Sequence, residues 1–192
     1  SRRRHTRSLC DWSSDVCSSD LGRSTEYQAL ESRCLMAGDF LWTHQFAGDA
    51  AESGQAITTD SFGSIYTFGH FSGTVDFDPG PATRNISASG TQDAFVTKVN
   101  SAGNVVWVQT FGGNQQVSAR AIEVDSFGAV YLVGNFTGTA DFDPGLGVQN
   151  FTATGSGSDG YLSKLDASGN FLWARQLGGS GEALALGQDG SI

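Results

Sequence analysis

The chain has 192 residues with 20 acidic and 11 basic side chains, and its formal net charge is −9. This acidic balance disfavours nucleic-acid binding, because affinity for phosphate backbones depends on Lys and Arg. The sequence contains no apolar run of the about 18 residues that a membrane-spanning helix needs, so no membrane span is predicted.

Residues 1–21 differ from the rest of the chain, since they hold four Arg and three Asp and match nothing that follows. Translated back into codons, "CDWSSDVCSSDL" resembles a common sequencing-library adapter, and "SRRRHTR" resembles the matching amplification primer. We therefore interpret 1–21 as a non-native, disordered segment and exclude it from fold reasoning; the alternative is a basic N-terminal arm. Without it, the net charge is −10 and Cys34 is the one remaining cysteine, so no disulfide framework is expected.

The remainder repeats itself. Residues 60–80 return at 125–145 with 14 of 21 positions identical, and residues 93–113 return at 159–179. Trp42, Trp107 and Trp173 mark the same position in three successive copies. Repetition at a fixed period indicates a row of similar supersecondary units.

In chain order, we predict an irregular lead-in over 22–37 and the last strand of a preceding unit over 38–47. In the second full copy, strands are predicted at 120–124, 129–136, 160–165 and 171–177. The second of these carries apolar side chains on both faces, which indicates burial on both sides. Short turns that begin with Asp or Asn and end with Gly join the strands, at 60–63, 100–103, 125–128 and 166–169.

Four antiparallel strands per copy predict an all-β fold, a fragment of a β-propeller with about two and a half four-stranded blades. We expect complete blades at 54–111 and 119–177 and the start of a truncated third blade at 182–192. The alternative is a β-solenoid, which would have shorter repeats. Open blade faces also predict that residues 22–192 alone are poorly soluble or marginally folded, and that the native gene encodes more repeats.

The motifs "GNVVWVQTFGG", "IEVDSFGAVYLVGNFTGT", "DFDPG" and "DAFVTKVNSAGN" resemble the bacterial β-propeller repeat family often called SBBP, in its variety with an "FDPG" motif. The resemblance covers residues 38–192. It implies a propeller fold and a large secreted or surface protein of a bacterium, and it implies no particular activity.

Strand direction alternates along a blade, so the first-to-second and third-to-fourth turns lie at one end. The second-to-third connection and the link to the next blade lie at the other end. These latter connections are long, for example 72–92 and 112–119, and long loops on a rigid scaffold are where binding is usually located.

The repeated "DFDPG" motif has two interpretations. An extended segment would point Phe77 inward and both neighbouring carboxylates the other way, followed by a Pro-Gly turn. The functional interpretation is a calcium site, for which the predicted metal ligands are Asp76, Asp78, Asp141 and Asp143. Calcium prefers six to eight oxygen ligands, and each motif provides two carboxylates.

No catalytic residues and no other cofactor are predicted, because nucleophile-elbow, zinc-protease and phosphate-loop motifs are absent from the sequence. His44 and His70 do not recur in the repeat, where Gln109 and Asn135 replace them. We expect a non-catalytic extracellular module that serves as a scaffold or binding surface, with neighbouring blades and a glycan or protein ligand as partners. The alternatives are a propeller hydrolase or lyase acting on polysaccharide and a calcium-stabilised stalk.

Overall fold

The computed structural model describes residues 42–155, 157–187 and 191–192, so the segments predicted at 1–21 and 22–37 lie outside the described residues. The described part of the chain forms thirteen β-strands and no helix. These strands are β1 (Ala47–Gly48), β2 (Glu52–Thr59), β3 (Ile65–Phe71), β4 (Thr74–Asp76), β5 (Asn85–Ser87), β6 (Asp93–Val99), β7 (Val105–Gly113), β8 (Val117–Val124), β9 (Val130–Phe136), β10 (Thr139–Asp141), β11 (Asn150–Thr152), β12 (Asp159–Leu165) and β13 (Phe171–Leu177). Described residues also include no helix long and apolar enough to cross a membrane.

Two copies of one four-stranded antiparallel meander form the centre of the fold. In the first blade the strand order is β2-β3-β6-β7, and in the second it is β8-β9-β12-β13. Register shifts occur at equivalent places, between Gly54 and Ala56 and between Ala119 and Ala121 in the first strands. The predicted all-β fold is therefore confirmed, and its sheets are those of a partial β-propeller.

The observed blade bounds, 52–113 and 117–177, extend the predicted ones by a few residues. All seven residues of β9 are buried, as its apolar side chains on both faces predicted. In each blade the first tight turn packs against the second, because a Cβ on Gly63 would lie 3.5 Å from Cβ of Ser101 and one on Gly128 would lie 3.1 Å from Cβ of Ala167. The prediction that the tight turns share one end of the blade is confirmed.

The long second-to-third connections contain regular structure that the sequence did not predict. Each folds into a two-stranded ribbon, β4 with β5 and β10 with β11. In the second blade, β10 also pairs with the end of β7 in the first blade, and it extends that sheet to six strands. In the first blade, β4 pairs with β1 in the same way. The ribbon of one blade is thus added to the last strand of the blade before it.

The two flanking segments only partly match their predictions. Of the strand predicted over 38–47, residues 38–41 lie outside the described residues, 42–46 have no strand pairing, and only Ala47 at its end belongs to a strand, β1. A fourth strand pairs with the third strand of its own blade, as β7 pairs with β6, and no described strand fills that position for 42–46.

Residues 182–187 also have no strand assignment, and residues 188–190 lie outside the described residues. The amide of Gly187 donates to the carbonyl oxygen of Ser191 at 2.8 Å, as Asp125 donates to Ala129 at 2.9 Å. The strand that pairs with β8 begins at Val130, and its counterpart in this unit would begin at Ile192. Of the third-blade start predicted over 182–192, the described residues therefore form no strand.

One apolar cluster crosses the junction between the blades. It joins Phe68 and Val96 of the first blade to Leu132 and Phe142 of the second, and all four side chains are fully buried. Burial of one such side chain contributes about 1.5–3 kcal/mol to folding. The blades are thus held together by a shared core as well as by strand pairing.

The opposite face of the first blade has no such cover among the described residues. Ile57 of β2 is 68% exposed, whereas its counterpart Ile122 of β8 is 5% exposed between the blades. Glu52 is exposed where Val117 is fully buried.

Candidate functional site

The acidic turn that occurs twice is stabilised by its own carboxylates. Asp76 Oδ1 accepts hydrogen bonds from the backbone amides of Asp78 at 3.0 Å and Arg84 at 2.8 Å. Asp78 Oδ1 accepts from the amide of Gly80 at 2.7 Å. The two side chains therefore replace backbone acceptors in a segment that has no long strand ladder, which is the ordinary role of Asp in turns.

The second copy reproduces the first almost atom for atom. Asp141 Oδ1 accepts from the amides of Asp143 at 3.0 Å and Gln149 at 2.8 Å, and Asp143 Oδ1 accepts from Gly145 at 2.8 Å. Gln149 stands where the first copy has Arg84, and both donate through the backbone, so the motif does not need either side chain.

The aromatic residue of each motif is a buried anchor, as the extended interpretation predicted. Phe77 is fully buried, with ring centroids 5.1 Å from Phe95 and 5.4 Å from Phe71. Phe142 is also fully buried, and its ring centroid lies 4.5 Å from that of Tyr161. Each ring attaches a ribbon to the blade core while the carboxylates remain at the surface.

The hydrogen bonds stabilise the charged form of the first carboxylate. Donation from the amides of Arg84 and Asp78 lowers the pKa of Asp76 below its ordinary value. The Asp76 side chain is therefore ionised at neutral pH. Its other oxygen, Oδ2, takes no part in these two hydrogen bonds.

The metal prediction can be compared with this geometry. Asp76 and Asp78 lie in one ribbon and Asp141 and Asp143 in the other, so each ribbon contributes one pair of carboxylates. Within the described residues, no group of three or more His, Cys, Asp or Glu side chains could hold a metal ion. Calcium binding at these pairs stays a prediction that would require backbone carbonyls or water to complete the coordination.

A second recurring constellation was missed by sequence reasoning. Lys98 Nζ lies 3.5 Å from Asp60 Oδ2 and 5.0 Å from the ring centroid of Tyr66, whose hydroxyl donates to the same carboxylate at 3.1 Å. Burial raises the pKa of Tyr66, so its hydroxyl keeps its proton. These contacts attach the first turn of the blade to its third strand.

The second blade repeats this constellation with Asp125, Tyr131 and Lys164. Lys164 Nζ lies 3.8 Å from Asp125 Oδ2 and 4.5 Å from the Tyr131 ring centroid. Lys98 and Lys164 are the two lysines of the whole sequence, and their equivalent positions are the signal that could have revealed the constellation.

The tryptophans of the first two copies each bond to the last turn of the blade that follows. Trp107 Nε1 donates to the carbonyl oxygen of Ala167 at 3.2 Å, and Trp42 Nε1 donates to that of Ser101 at 3.4 Å. Each indole covers the glycine that ends the turn, Gly169 or Gly103, where a Cβ would lie within about 3 Å of the ring. Both glycines also have positive φ, so glycine is required there both by the backbone conformation and by the lack of space for a Cβ.

A polar cavity of about 160 Å³ lies where the second blade meets the segment after it. Arg120 Nε lies 3.5 Å from Glu182 Oε2 at this cavity, and the Asn135 side chain exchanges two hydrogen bonds with the backbone of Gly181. In the first blade His70 occupies the position of Asn135, and desolvation together with nearby Arg120 lowers its pKa. The Arg120 and Asn135 side chains at this cavity therefore already have partners in the segment that follows the second blade.

Comparison with known proteins gives two distant relatives. No family model matches the chain. It is 29% identical over 134 residues to Regulatory protein FlaEY of Caulobacter vibrioides, which is 70% of this chain and 13% of that protein. It is 26% identical over 114 residues to an uncharacterised WD repeat-containing protein of Acanthamoeba polyphaga mimivirus, which is 52% of this chain and 8% of that protein.

The chain thus spans only a small part of the relatives it matches. The similarity to a WD repeat-containing protein agrees with the partial propeller seen in the sheets, since WD repeats are propeller blades. The structure thus shows a repeated all-β fold of the propeller type, and the similarity agrees with it.

Proposed function

We propose that the chain is a non-catalytic β-propeller repeat module of a secreted or surface bacterial protein, of the SBBP type with the "FDPG" motif. It serves as a scaffold, and as a binding surface through its long second-to-third connections. The observation that carries this proposal is that residues at equivalent positions of the repeat make the same structural contacts before each blade.

Three contacts recur at the two junctions. The Trp42 and Trp107 indoles bond to the blade that follows them, the β4 and β10 ribbons pair with β1 and with the end of β7, and an Asp or Asn side chain caps each ribbon. In the cap, Asp49 Oδ1 accepts from Thr74 at 2.7 Å, and Asn114 Oδ1 accepts from Thr139 at 2.8 Å. The recurring motifs are thereby accounted for by assembly of the scaffold.

A catalytic site would need a different distribution of residues. Catalytic groups are usually unlike side chains placed within hydrogen-bond reach of one another, with perturbed pKa values in a cleft. Here the two lysines, Lys98 and Lys164, recur at equivalent positions and are each paired with the Asp of the first turn of their blade, Asp60 or Asp125. This supports a scaffold over the alternative of a polysaccharide hydrolase or lyase.

The exposed face of the first blade supports neighbouring blades as partners. Its apolar groove of about 120 Å³ is lined by Phe46, Val75, Phe77 and Phe95. The counterparts of these residues one repeat later are Phe111 of the first blade and Ala140, Phe142 and Tyr161 of the second, and all four are buried in the cluster that joins the two blades. We therefore propose another blade as the occupant of the groove.

The experiment that tests the proposal has two measurements on the purified chain. A glycan array detects binding, and a reducing-sugar assay on the same glycans detects cleavage. Binding without release of reducing ends supports the binding module. Release of reducing ends that depends on the protein would contradict the non-catalytic function, and no binding to any glycan or protein ligand would restrict it to a mechanical scaffold.

A further inference from the structure

Four tight turns of the two blades share one backbone design. In each, the Oδ1 atom of the first residue accepts from the amides two and four residues later, at 2.8–3.1 Å, and the fourth residue is a glycine with positive φ. The first residues of these turns are Asp60, Asn100, Asp125 and Asp166. The design thus uses the side chain of the first residue and the conformational freedom of the last.

The third residue of these turns contributes only its backbone, yet it differs between the two kinds of turn. The turns between third and fourth strands have Ala102 and Ser168 at this position, both small. The turns between first and second strands have Phe62 and Phe127, which are 84% and 90% exposed. Since a small residue satisfies the same geometry, the turn itself does not require phenylalanine.

The two rings lie on the turns of separate blades. The turn of Phe62 packs beside Ser101, and the turn of Phe127 packs beside Ala167. A protein interface has a contiguous apolar core, which one ring on each blade does not by itself form. A sugar ring can stack on one exposed phenyl face, because its C–H groups meet the negative face of the aromatic quadrupole while its hydroxyls stay in water.

The two rings belong to the same end of neighbouring blades. Trp107 lies near the start of β7, beside the tight turns of the first blade, and its bond to Ala167 reaches the tight turns of the second blade. An equivalent aromatic ring in successive blades suits a ligand that itself repeats. The acidic chain, with a net charge of −9, disfavours anionic polymers.

We propose that the tight-turn end of the blades binds a neutral polysaccharide by stacking sugar rings on Phe62 and Phe127. This inference goes beyond the proposed function, which places binding on the long connections at the opposite end of each blade. It rests on the proposed function only in requiring that the blades lie side by side.

The test is native affinity electrophoresis of the whole chain through gels containing hydroxyethyl cellulose, galactomannan or soluble starch. We expect at least one polymer to retard the chain, and the F62A/F127A double variant to lose about two- to tenfold in affinity per ring. The matched control is Leu172→Ala, which removes an apolar side chain that is 49% exposed on strand β13, outside the tight turns and the long connections. We expect this control to bind as the unchanged chain does.

A second variant tests whether a larger aromatic ring increases the affinity for the polymer. Phe62→Trp enlarges one stacking surface at an exposed position and should raise the affinity for the same polymer. Near-UV circular dichroism of every variant checks that the fold is kept, which we expect because both rings are exposed.

Four results would overturn the proposal: no retardation by any of the polymers, equal affinity of F62A/F127A and the unchanged chain, an equal loss of affinity in Leu172→Ala, or self-association in light scattering that F62A/F127A abolishes. The third would leave the proposed binding function on the long connections intact, because it would show that the loss does not depend on the two rings. The fourth would assign the rings to a second copy of the chain. Protein-dependent sugar release would contradict the proposed non-catalytic function without affecting the stacking residues.

Discussion

Trp107 of the first blade donates a hydrogen bond to the carbonyl oxygen of Ala167 in the second blade, 60 residues along the chain, at 3.2 Å. Its indole covers Gly169, and Gln109 two residues later donates to the Gly169 carbonyl oxygen at 3.0 Å. The fourth strand of one blade is thereby fixed to the last turn of the next.

Replacing Gly169 with Ala should weaken this junction. Its φ is +83°, and a Cβ would lie 3.0 Å from the Trp107 ring. We expect a loss of about 1–3 kcal/mol in the free energy of unfolding, measured by urea denaturation.

Gly155→Ala is the matched control, because its φ of +72° causes the same backbone strain with no atom within 4 Å of the added Cβ. The difference between the two variants isolates the contact with Trp107. Equal losses would contradict the assignment of Gly169 to the junction.

Truncating the shared core should destabilise both blades together. Leu132 is fully buried between the blades, so Leu132→Ala should cost about 2–5 kcal/mol. Leu172, 49% exposed on β13, is the control, and Leu172→Ala should change the stability much less. Thermal unfolding by circular dichroism compares them, and a similar fall in Tm for both would show that Leu132 is not in a packed core.

The carboxylate of Asp141 should act through hydrogen bonds to the backbone. Asp141→Ala leaves the amides of Asp143 and Gln149 without their acceptor, and should cost about 1.5–3 kcal/mol. Asp141→Asn keeps an oxygen at the same place and should lose less. Denaturant unfolding of both variants distinguishes two roles of the carboxylate. Capping predicts a smaller loss of stability for Asp141→Asn than for Asp141→Ala, whereas a role that depends on charge alone predicts equal losses.

Calcium is tested on the same turns. A capping role predicts that millimolar Ca²⁺ leaves Tm unchanged, whereas a bound ion would raise Tm with increasing concentration. A Ca²⁺-dependent rise that disappears in the Asp141→Asn and Asp76→Asn variants would establish the metal site predicted from the sequence. Mg²⁺ at the same concentration controls for general effects of ionic strength.

Acid should destabilise the fold by protonating carboxylates that accept hydrogen bonds in the folded state. Hydrogen bonds from the Asn170 side chain and amide lower the pKa of Asp166, and bonds from the Thr154 amide and the Gln176 side chain lower that of Asp159. Because their folded-state pKa values lie below the unfolded ones, their stabilisation is fully present above the unfolded pKa near 4 and is lost as pH falls through the folded values. We expect these carboxylates to leave Tm unchanged between about pH 5 and 7 and to lower it below about pH 4, whereas the lowered pKa of His70 should make Tm begin to fall as the pH drops below the unfolded value near 6.5.

Asp166→Asn keeps an acceptor for the turn and should reduce this dependence on acid pH. A Tm that rises as the pH is lowered from about 5 to 3 would contradict the directions of these pKa shifts.

The blades could be predicted from the sequence because their signals are local and occur twice. The apolar pattern of residues 129–136 and the Asp-to-Gly turns specify strands and connections without knowledge of distant contacts. Repetition then supplies the period of a blade, which no single segment contains.

The ribbons and the Asp–Tyr–Lys constellations could not be predicted in this way, because each depends on contacts between separate segments. The strand β10 has three residues and pairs with Gly112 and Gly113 of the preceding blade. Lys98 meets Asp60 only when β6 is paired with β3. Pairing between distant segments is set by tertiary structure, so a short polar strand leaves little trace in its own sequence.

The central claim is that the Trp-marked units lie side by side with the indole of one over the last turn of the next. Nuclear Overhauser effects between the Trp107 ring protons and the Hα protons of Gly169 measure this contact directly. The account predicts strong cross-peaks for this pair, together with cross-peaks from the indole N–H to residues of the 166–169 turn. Their absence in a folded sample with a dispersed spectrum would contradict the packing of the blades.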